Sequence, residues 1–206
     1  MFDRFRPLLL SSLLVAALAS AGCGSDGEGA VLLVDAEFNP AGAANTNGQV
    51  SETVEVAQTF TVLNNGKFER FWLLLTQGAS IDTGVVRITV RPVAGGLPNA
   101  SPASSIITPI DVDTSTLPGL GIETWTMFDV GDDPGRVVAT GEMYAFVIEF
   151  VSRTGTDTAH IARFLGIDGS GGDPYAGGSA ALDTGGGFVL SPTSDDYIFR
   201  TFVLEP

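Results

Sequence analysis

Short β-rich runs recur along this chain at close intervals, each bounded by Gly, Pro, Asn or Asp, and this rhythm constrains the fold more than any other feature. After a first apolar run at 31–34, the others span 58–63, 68–75, 85–93, 105–112, 123–130, 143–151, 160–167, 187–190 and 197–204. No stretch carries a long amphipathic helical period. Val86, Ile88 and Val90 alternate with Arg87, Thr89 and Arg91, and Tyr144, Phe146, Ile148 and Phe150 share one side of their run. Period-two alternation gives each strand one apolar face, and two antiparallel sheets can bury such faces against each other without helices. The expectation is an all-β chain folded as a two-sheet antiparallel β-sandwich of about eight to ten strands. Asn64-Asn65-Gly66 predicts a tight hairpin between the runs on either side, since Asn and Gly accept positive φ. Residues 39–49, rich in Asn, Gly and Ala, predict a loop.

The N-terminus reads as an address. Arg4 and Arg6 precede an apolar run from Leu8 to Ala19, and small residues follow up to Cys23, the only cysteine. A charged start, a short apolar stretch and a small-residue cut site describe a bacterial export signal, with a signal-peptide helix over 1–22. The apolar run is shorter than the roughly 20 residues a membrane span needs. Residues Leu18-Ala19-Ser20-Ala21-Gly22-Cys23 resemble the lipobox of bacterial lipoproteins. That resemblance implies that Cys23 receives a diacylglyceryl group and becomes the mature N-terminus. Ser20 departs from the usual Leu, and Ala19-Ser20-Ala21 also fits an ordinary signal-peptidase site, so cleavage after Ala21 and plain secretion form the alternative. Gly24, rather than Asp, after Cys23 is compatible with onward transport to an outer membrane or cell surface. The domain reading is therefore 1–22 as signal peptide, 23–29 as lipidated cysteine and polar tether, and 30–206 as the β-sandwich.

Residues 1–22 carry Arg4, Arg6 and Asp3, so the remainder holds 8 basic and 23 acidic residues, a formal charge of −15. Such a chain repels phosphates, which argues against nucleic acid as a partner. With no second cysteine there is no disulfide within the chain, so stability must come from the apolar core and the hydrogen-bonded strands.

An ordered set of short motifs adds to this. Gln58-Thr59-Phe60-Thr61-Val62, Gly66, and Phe71-Trp72-Leu73-Leu74-Leu75 lead to Val86-Arg87-Ile88-Thr89-Val90 and Gly95-Gly96-Leu97-Pro98. Trp125-Thr126-Met127-Phe128, Gly141-Glu142-Met143-Tyr144, the stretch from Asp173 to Gly178, and Asp196-Tyr197-Ile198-Phe199-Arg200-Thr201 follow. Over roughly residues 54–203 this order resembles the extracellular bacterial jelly-roll domains called choice-of-anchor. The resemblance implies a jelly-roll-like sandwich displayed outside the cytoplasm, and it carries no catalytic or ligand residues to transfer.

Enzymatic constellations are sparse. His160 is the only histidine and no Gly-x-Ser-x-Gly elbow surrounds any serine, so a Ser-His-Asp triad has little support. Zinc needs several His or Cys ligands that the chain cannot supply. Paired carboxylates for glycoside hydrolysis need only two groups, with Glu142 and Glu149 as strand-borne candidates. A structural Ca²⁺ would draw on Asp35 and Glu37 after the first strand meeting Asp195 or Asp196 before the last. Asp111-Val112-Asp113-Thr114-Ser115 opens like an EF-hand loop but has Thr116 and Ile122 where that loop needs Gly and Glu, so it reads as a turn. Aromatic rings that could stack on sugars are Trp72, on the face opposite Phe71 and Leu73, with Trp125, Tyr175 and Phe188.

The functional expectation is a non-catalytic cell-envelope lipoprotein. It would be held to the membrane by its N-terminal lipid, with its sandwich binding or packing against a glycan or an envelope protein. The alternative is a surface or secreted glycoside hydrolase. No cofactor is required, and a structural Ca²⁺ is the one candidate.

Overall fold

The computed structural model describes residues 30–40, 43–131, 136–169, 173–191 and 195–205. The leader at 1–22, Cys23 with its tether, and the acidic turn at 132–135 lie outside the described residues. The described chain is all-β. Its strands are β1 (Leu32–Phe38), β2 (Thr46–Val50), β3 (Glu55–Thr61), β4 (Gly66–Leu73), β5 (Leu75–Gln77), β6 (Gly84–Ala94), β7 (Leu97–Pro98) and β8 (Ile110–Asp113). They continue as β9 (Thr126–Asp129), β10 (Val137–Val138), β11 (Met143–Arg153), β12 (Ala162–Ile167), β13 (Ala180–Asp183), β14 (Val189–Leu190), β15 (Asp196–Tyr197) and β16 (Phe199–Leu204).

All pairings are antiparallel. One sheet has the order β14-β13-β3-β11-β6-β7, with β8 also on β6. Opposite it, β1-β16-β4-β10 with β9 forms a second sheet, which continues into β2-β12-β15 with β5. The continuation is a T-junction. Leu74 N–H donates to Ile198 O at 3.2 Å, Ile198 N–H to Leu165 O at 2.9 Å, and Leu165 N–H to Leu74 O at 2.9 Å. There β12 runs across the ends of β4 and β16, with β5 and β15 pairing successive stretches of its edge. Breaks at Leu74 and Ile198 divide the expected runs at 68–75 and 197–204, and β2, β7, β10 and β13 lie outside every expected run, so the strands are more numerous than anticipated.

The sheets meet through phenylalanines. Phe60 and Phe146 of the first face Phe68, Phe71 and Phe199 of the second, with Phe71–Phe146 centroids 4.9 Å apart and Phe60–Phe199 5.7 Å. Val86, Ile88, Val90, Phe146 and Ile148 are fully buried, as the alternation requires. The opposite side of the same strands is covered as well. Arg91 and Thr89 are fully buried there, and Phe188 packs with Ala57, Ala145, Val147 and Ala181. Pairing of β7 with the end of β6 brings Leu97 onto that patch, so an arginine on a nominally outer face is enclosed.

Two expectations change. Asn64-Asn65-Gly66 does not turn a hairpin, because β3 pairs with β11 and β13 while β4 pairs with β16, β9 and β10. The segment crosses between sheets, held by Asp35 Oδ1, which accepts the N–H groups of Leu63 and Asn64 at 2.8 and 2.7 Å. Phe60 and Phe68 on either side then stack across the core at 6.2 Å. Residues 39–49 are not all loop: β2 begins at Thr46 and pairs along β12. Its polar composition suits a strand at a sheet edge, and Gly48 faces Tyr197, where a Cβ would lie 2.6 Å from the phenol oxygen. The run at 105–112 contributes only β8. Asp113 beyond it accepts Ser115 N–H at 2.9 Å, an ordinary turn.

Candidate ligand-binding surface

The face of β1-β16-β4-β9 turned away from the core carries an aromatic and cationic cluster. Because Phe71, Leu73, Phe199, Thr201 and Val203 point inward and are fully buried, the residues between them point out. Register sets them in rungs. Glu37 lies opposite Arg200, Arg200 opposite Trp72, and Trp72 opposite Met127. The next rung is Val34, Phe202, Arg70 and Asp129.

The Arg200 guanidinium sits 5.2 Å from the Trp72 ring and 5.6 Å from that of Trp125. Its Nη2 pairs with Glu37 Oε1. Trp72 touches Trp125 at 6.1 Å and Phe202 at 5.2 Å between centroids. Arg70 Nε pairs with Asp129 Oδ1 at 2.5 Å. Around this cluster Val34 is 47% exposed, Met127 51% and Val137 71%, so the apolar surface continues to solvent. A planar cation lying against two touching indoles attracts both rings through the ring quadrupole. Rings held this way offer stacking area without losing rotamer freedom on binding.

The predicted aromatic site residues separate. Trp72 lies on this outer face, half-buried, beside Trp125. Tyr175 packs inside, 5.7 Å from Phe38 and edge-on to Phe199 at 5.2 Å. Burial pushes its phenol up to about 12, which marks a loop-locking residue rather than an open one. Phe188 is 7% exposed and lies over the far face of the other sheet. Arg200 and Phe202 complete the cluster around Trp72. Their signal was present in the last strand, where they alternate with Phe199, Thr201 and Val203, but nothing in sequence joins that strand to Trp72.

The four carboxylates considered for Ca²⁺ hold separate posts. Asp35 is buried against the Leu63–Asn64 backbone and the Thr201 hydroxyl, and burial raises its pKa. Glu37 pairs with Arg200. Asp195 accepts the Thr46 hydroxyl at 3.1 Å. Asp196, 1% exposed, accepts Gln58 Nε2 at 2.8 Å and Tyr175 N–H at 3.0 Å. Among the described residues no group of three or more His, Cys, Asp or Glu side chains is spaced to hold a metal.

The carboxylates considered for hydrolysis are likewise apart. Glu142 accepts the Tyr144 hydroxyl at 2.9 Å, whereas Glu149 pairs with Arg91 at 2.7 Å. Glu142 immediately precedes β11 and Glu149 lies within it, a separation of about 23 Å at the usual rise per strand residue. That exceeds the reach of a glycosidase pair. His160 precedes β12, and its Nε2 accepts Arg163 Nε at 2.7 Å. Burial and the neighbouring Arg163 lower its pKa, keeping the ring neutral.

In comparisons with known proteins, no family model matches the chain and no curated protein matches it.

Proposed function

We propose that this protein is a non-catalytic, exported envelope protein, lipidated at Cys23, whose β-sandwich binds a surface glycan through the Trp72–Trp125–Phe202 face. The observation that carries the reading is Arg200 packed against a contacting pair of tryptophans on a face turned away from the core. Indoles on a flat sheet suit the C–H faces of sugar rings, and the flanking Arg70, Asp129 and Glu37 suit their hydroxyls. The export signal and the resemblance to choice-of-anchor domains support a position outside the cytoplasm, most simply on an outer membrane or cell surface. Ca²⁺ has no role in this reading.

The test is a glycan and polysaccharide array with the purified protein and its Trp125→Ala and Arg200→Ala variants. Binding of one polysaccharide class that falls at least tenfold in both variants, with unchanged melting temperature, supports the proposal. A flat array, or binding indifferent to both substitutions, removes it and leaves an envelope protein as partner for this face.

The hydrolase alternative has one observation in its favour. Glu55 and Asp183 lie directly opposite on adjacent strands, and burial, Glu149 and Asp183 raise the Glu55 pKa. Release of reducing sugar that disappears in Glu55→Gln would favour it.

A further inference from the structure

A cleft of about 550 Å³ opens between the edge of β2 and the end of β13 in the opposite sheet. It shares no residue with the Trp72 face. Three successive residues of β2, Asn47, Gly48 and Gln49, line it, together with Leu182 of β13 and Thr184 just beyond. Asp195 and Tyr197 enter from the last segment of the chain, and His160 from the approach to β12.

The chemistry of this lining is specific in kind. Among the described residues it contains no lysine or arginine, and Asp195 is its one carboxylate. Asn47 and Gln49 bring amides, Thr184 and Tyr197 bring hydroxyls, and each of these groups both donates and accepts. The Tyr197 ring is 2% exposed and packed on Phe164 at 4.8 Å, so its hydroxyl is held in place. Gly48 lets that hydroxyl pack against the β2 backbone, since a Cβ there would stand 2.6 Å from it. His160 accepts at Nε2 from Arg163, so it carries its hydrogen on Nδ1 as a neutral donor. Asp195 accepts the Thr46 hydroxyl on Oδ2 and the Gly169 N–H on Oδ1, at 3.1 and 3.3 Å, leaving lone pairs on both oxygens. Asn47 Oδ1 is buried and has no hydrogen-bond partner among the described residues.

We infer that this cleft is a second binding site, which takes the end of a neutral saccharide, its hydroxyls exchanging hydrogen bonds with the Gln49 amide and the Asp195 carboxylate. A neutral, hydroxyl-rich ligand matches a lining of mixed donors and acceptors, and Val54 and Leu182 supply apolar contact for the C–H face of a ring. Anions are disfavoured by Asp195 and by the negative charge of the whole chain. The volume falls within the range of small-ligand sites and suits one or two sugar rings. The Trp72 face would take a polymer along its length, whereas this cleft would take a chain end, and neither site requires the other.

The test is an amide NMR titration of the purified protein with glucose, galactose, mannose and N-acetylglucosamine and their β-1,4-linked dimers. Saturable shifts confined to 47–51, 158–160, 182–184 and 195–197 are expected with at least one of these sugars. Gln49→Leu, at an exposed position, should weaken that binding at least tenfold, and Asn47→Leu at least threefold. Trp125→Ala should leave it unchanged, which separates this site from the aromatic face. Absence of saturable shifts with every sugar overturns the inference, as do shifts confined to the Trp72 face. An extended hexapeptide that shifts the β2 amides while the sugars do not would also overturn it and make β2 a strand-pairing edge. Full affinity in both variants at unchanged melting temperature has the same consequence.

Discussion

Gln58 and Asp196 meet in the core across 138 residues of chain, Gln58 Nε2 donating to Asp196 Oδ1 at 2.8 Å. Gln58 Oε1 accepts Tyr197 N–H at 2.6 Å, so one side chain holds both residues of β15. The second Asp196 oxygen accepts Tyr175 N–H and lies against Asp173, whose Oδ1 accepts the same N–H at 3.0 Å. The central strand β3, the start of the last strand and the Tyr175 loop are thereby joined through buried polar groups.

Replacing Gln58 by Leu keeps the volume and removes both of these bonds, together with that from Gln58 Nε2 to Thr59 O at 3.0 Å. Asp196 Oδ1 and the Tyr197 N–H then lose these partners while buried, each at about 1–3 kcal/mol. The expected loss is about 3 kcal/mol in urea denaturation. A loss under about 1 kcal/mol would show that water or a shifted β15 replaces the clamp.

Asp196 also sets a pH dependence. Burial, reinforced by Asp173, pushes its carboxyl up to about 7 from an ordinary 3.8. Between those values the folded protein holds a proton that the unfolded chain releases. Stability therefore falls as pH rises through this window, by about 1.4 kcal/mol per unit, and levels off above pH 7. Asp196→Asn should lack this component: wild type should lose a few kcal/mol relative to the variant between pH 4 and pH 8. Parallel pH curves for the two proteins would contradict the assignment.

Arg91 and Glu149 form an enclosed ion pair at 2.7 Å, with the arginine side chain fully buried. Arg91 also donates to the Thr89 hydroxyl at 2.8 Å and to Ala100 O at 3.3 Å. Arg91→Met strands a buried carboxylate and should cost about 3–5 kcal/mol. The double variant Arg91→Met/Glu149→Leu should regain most of that loss. Thermal melts of the two variants decide it, and a double variant no better than the single would place the cost in packing.

Gly178 and Gly186 offer a matched pair. A Cβ on Gly178 would fall 1.9 Å from Thr59 O, while one on Gly186 meets nothing within 4 Å. Gly178→Ala must move backbone and should destabilise by about 3 kcal/mol. Gly186→Ala should stay within about 0.5 kcal/mol of wild type. Equal melting temperatures for the two variants would contradict the close approach.

The proposed anchor has a direct test. Cys23→Ala should move the protein from the membrane fraction to the soluble or secreted fraction, and the intact mass of the wild type should include a lipid. A wild-type mass beginning at Gly22 without lipid would establish ordinary secretion instead.

Much of this molecule was legible in its sequence because short-range periodicity reports which side of a strand is buried. Val86, Ile88 and Val90, and likewise Phe146 and Ile148, take the core face their spacing predicts. Motif residues behind the jelly-roll resemblance have core duties: Gln58 clamps Asp196, Phe60 and Phe199 pack together, and Thr201 donates to Asp35. The sequence alone determined an all-β, acidic, disulfide-free chain and its strand faces, since composition and period-two alternation are local properties. Only the tertiary structure decided that Asn64–Gly66 crosses between sheets, that β2 is a strand, and that Arg200 packs against both Trp72 and Trp125. It also separated Trp72, Tyr175 and Phe188 onto different surfaces. Partner choice between strands depends on register and contacts over more than a hundred residues, and no local pattern encodes which distant strand will lie alongside.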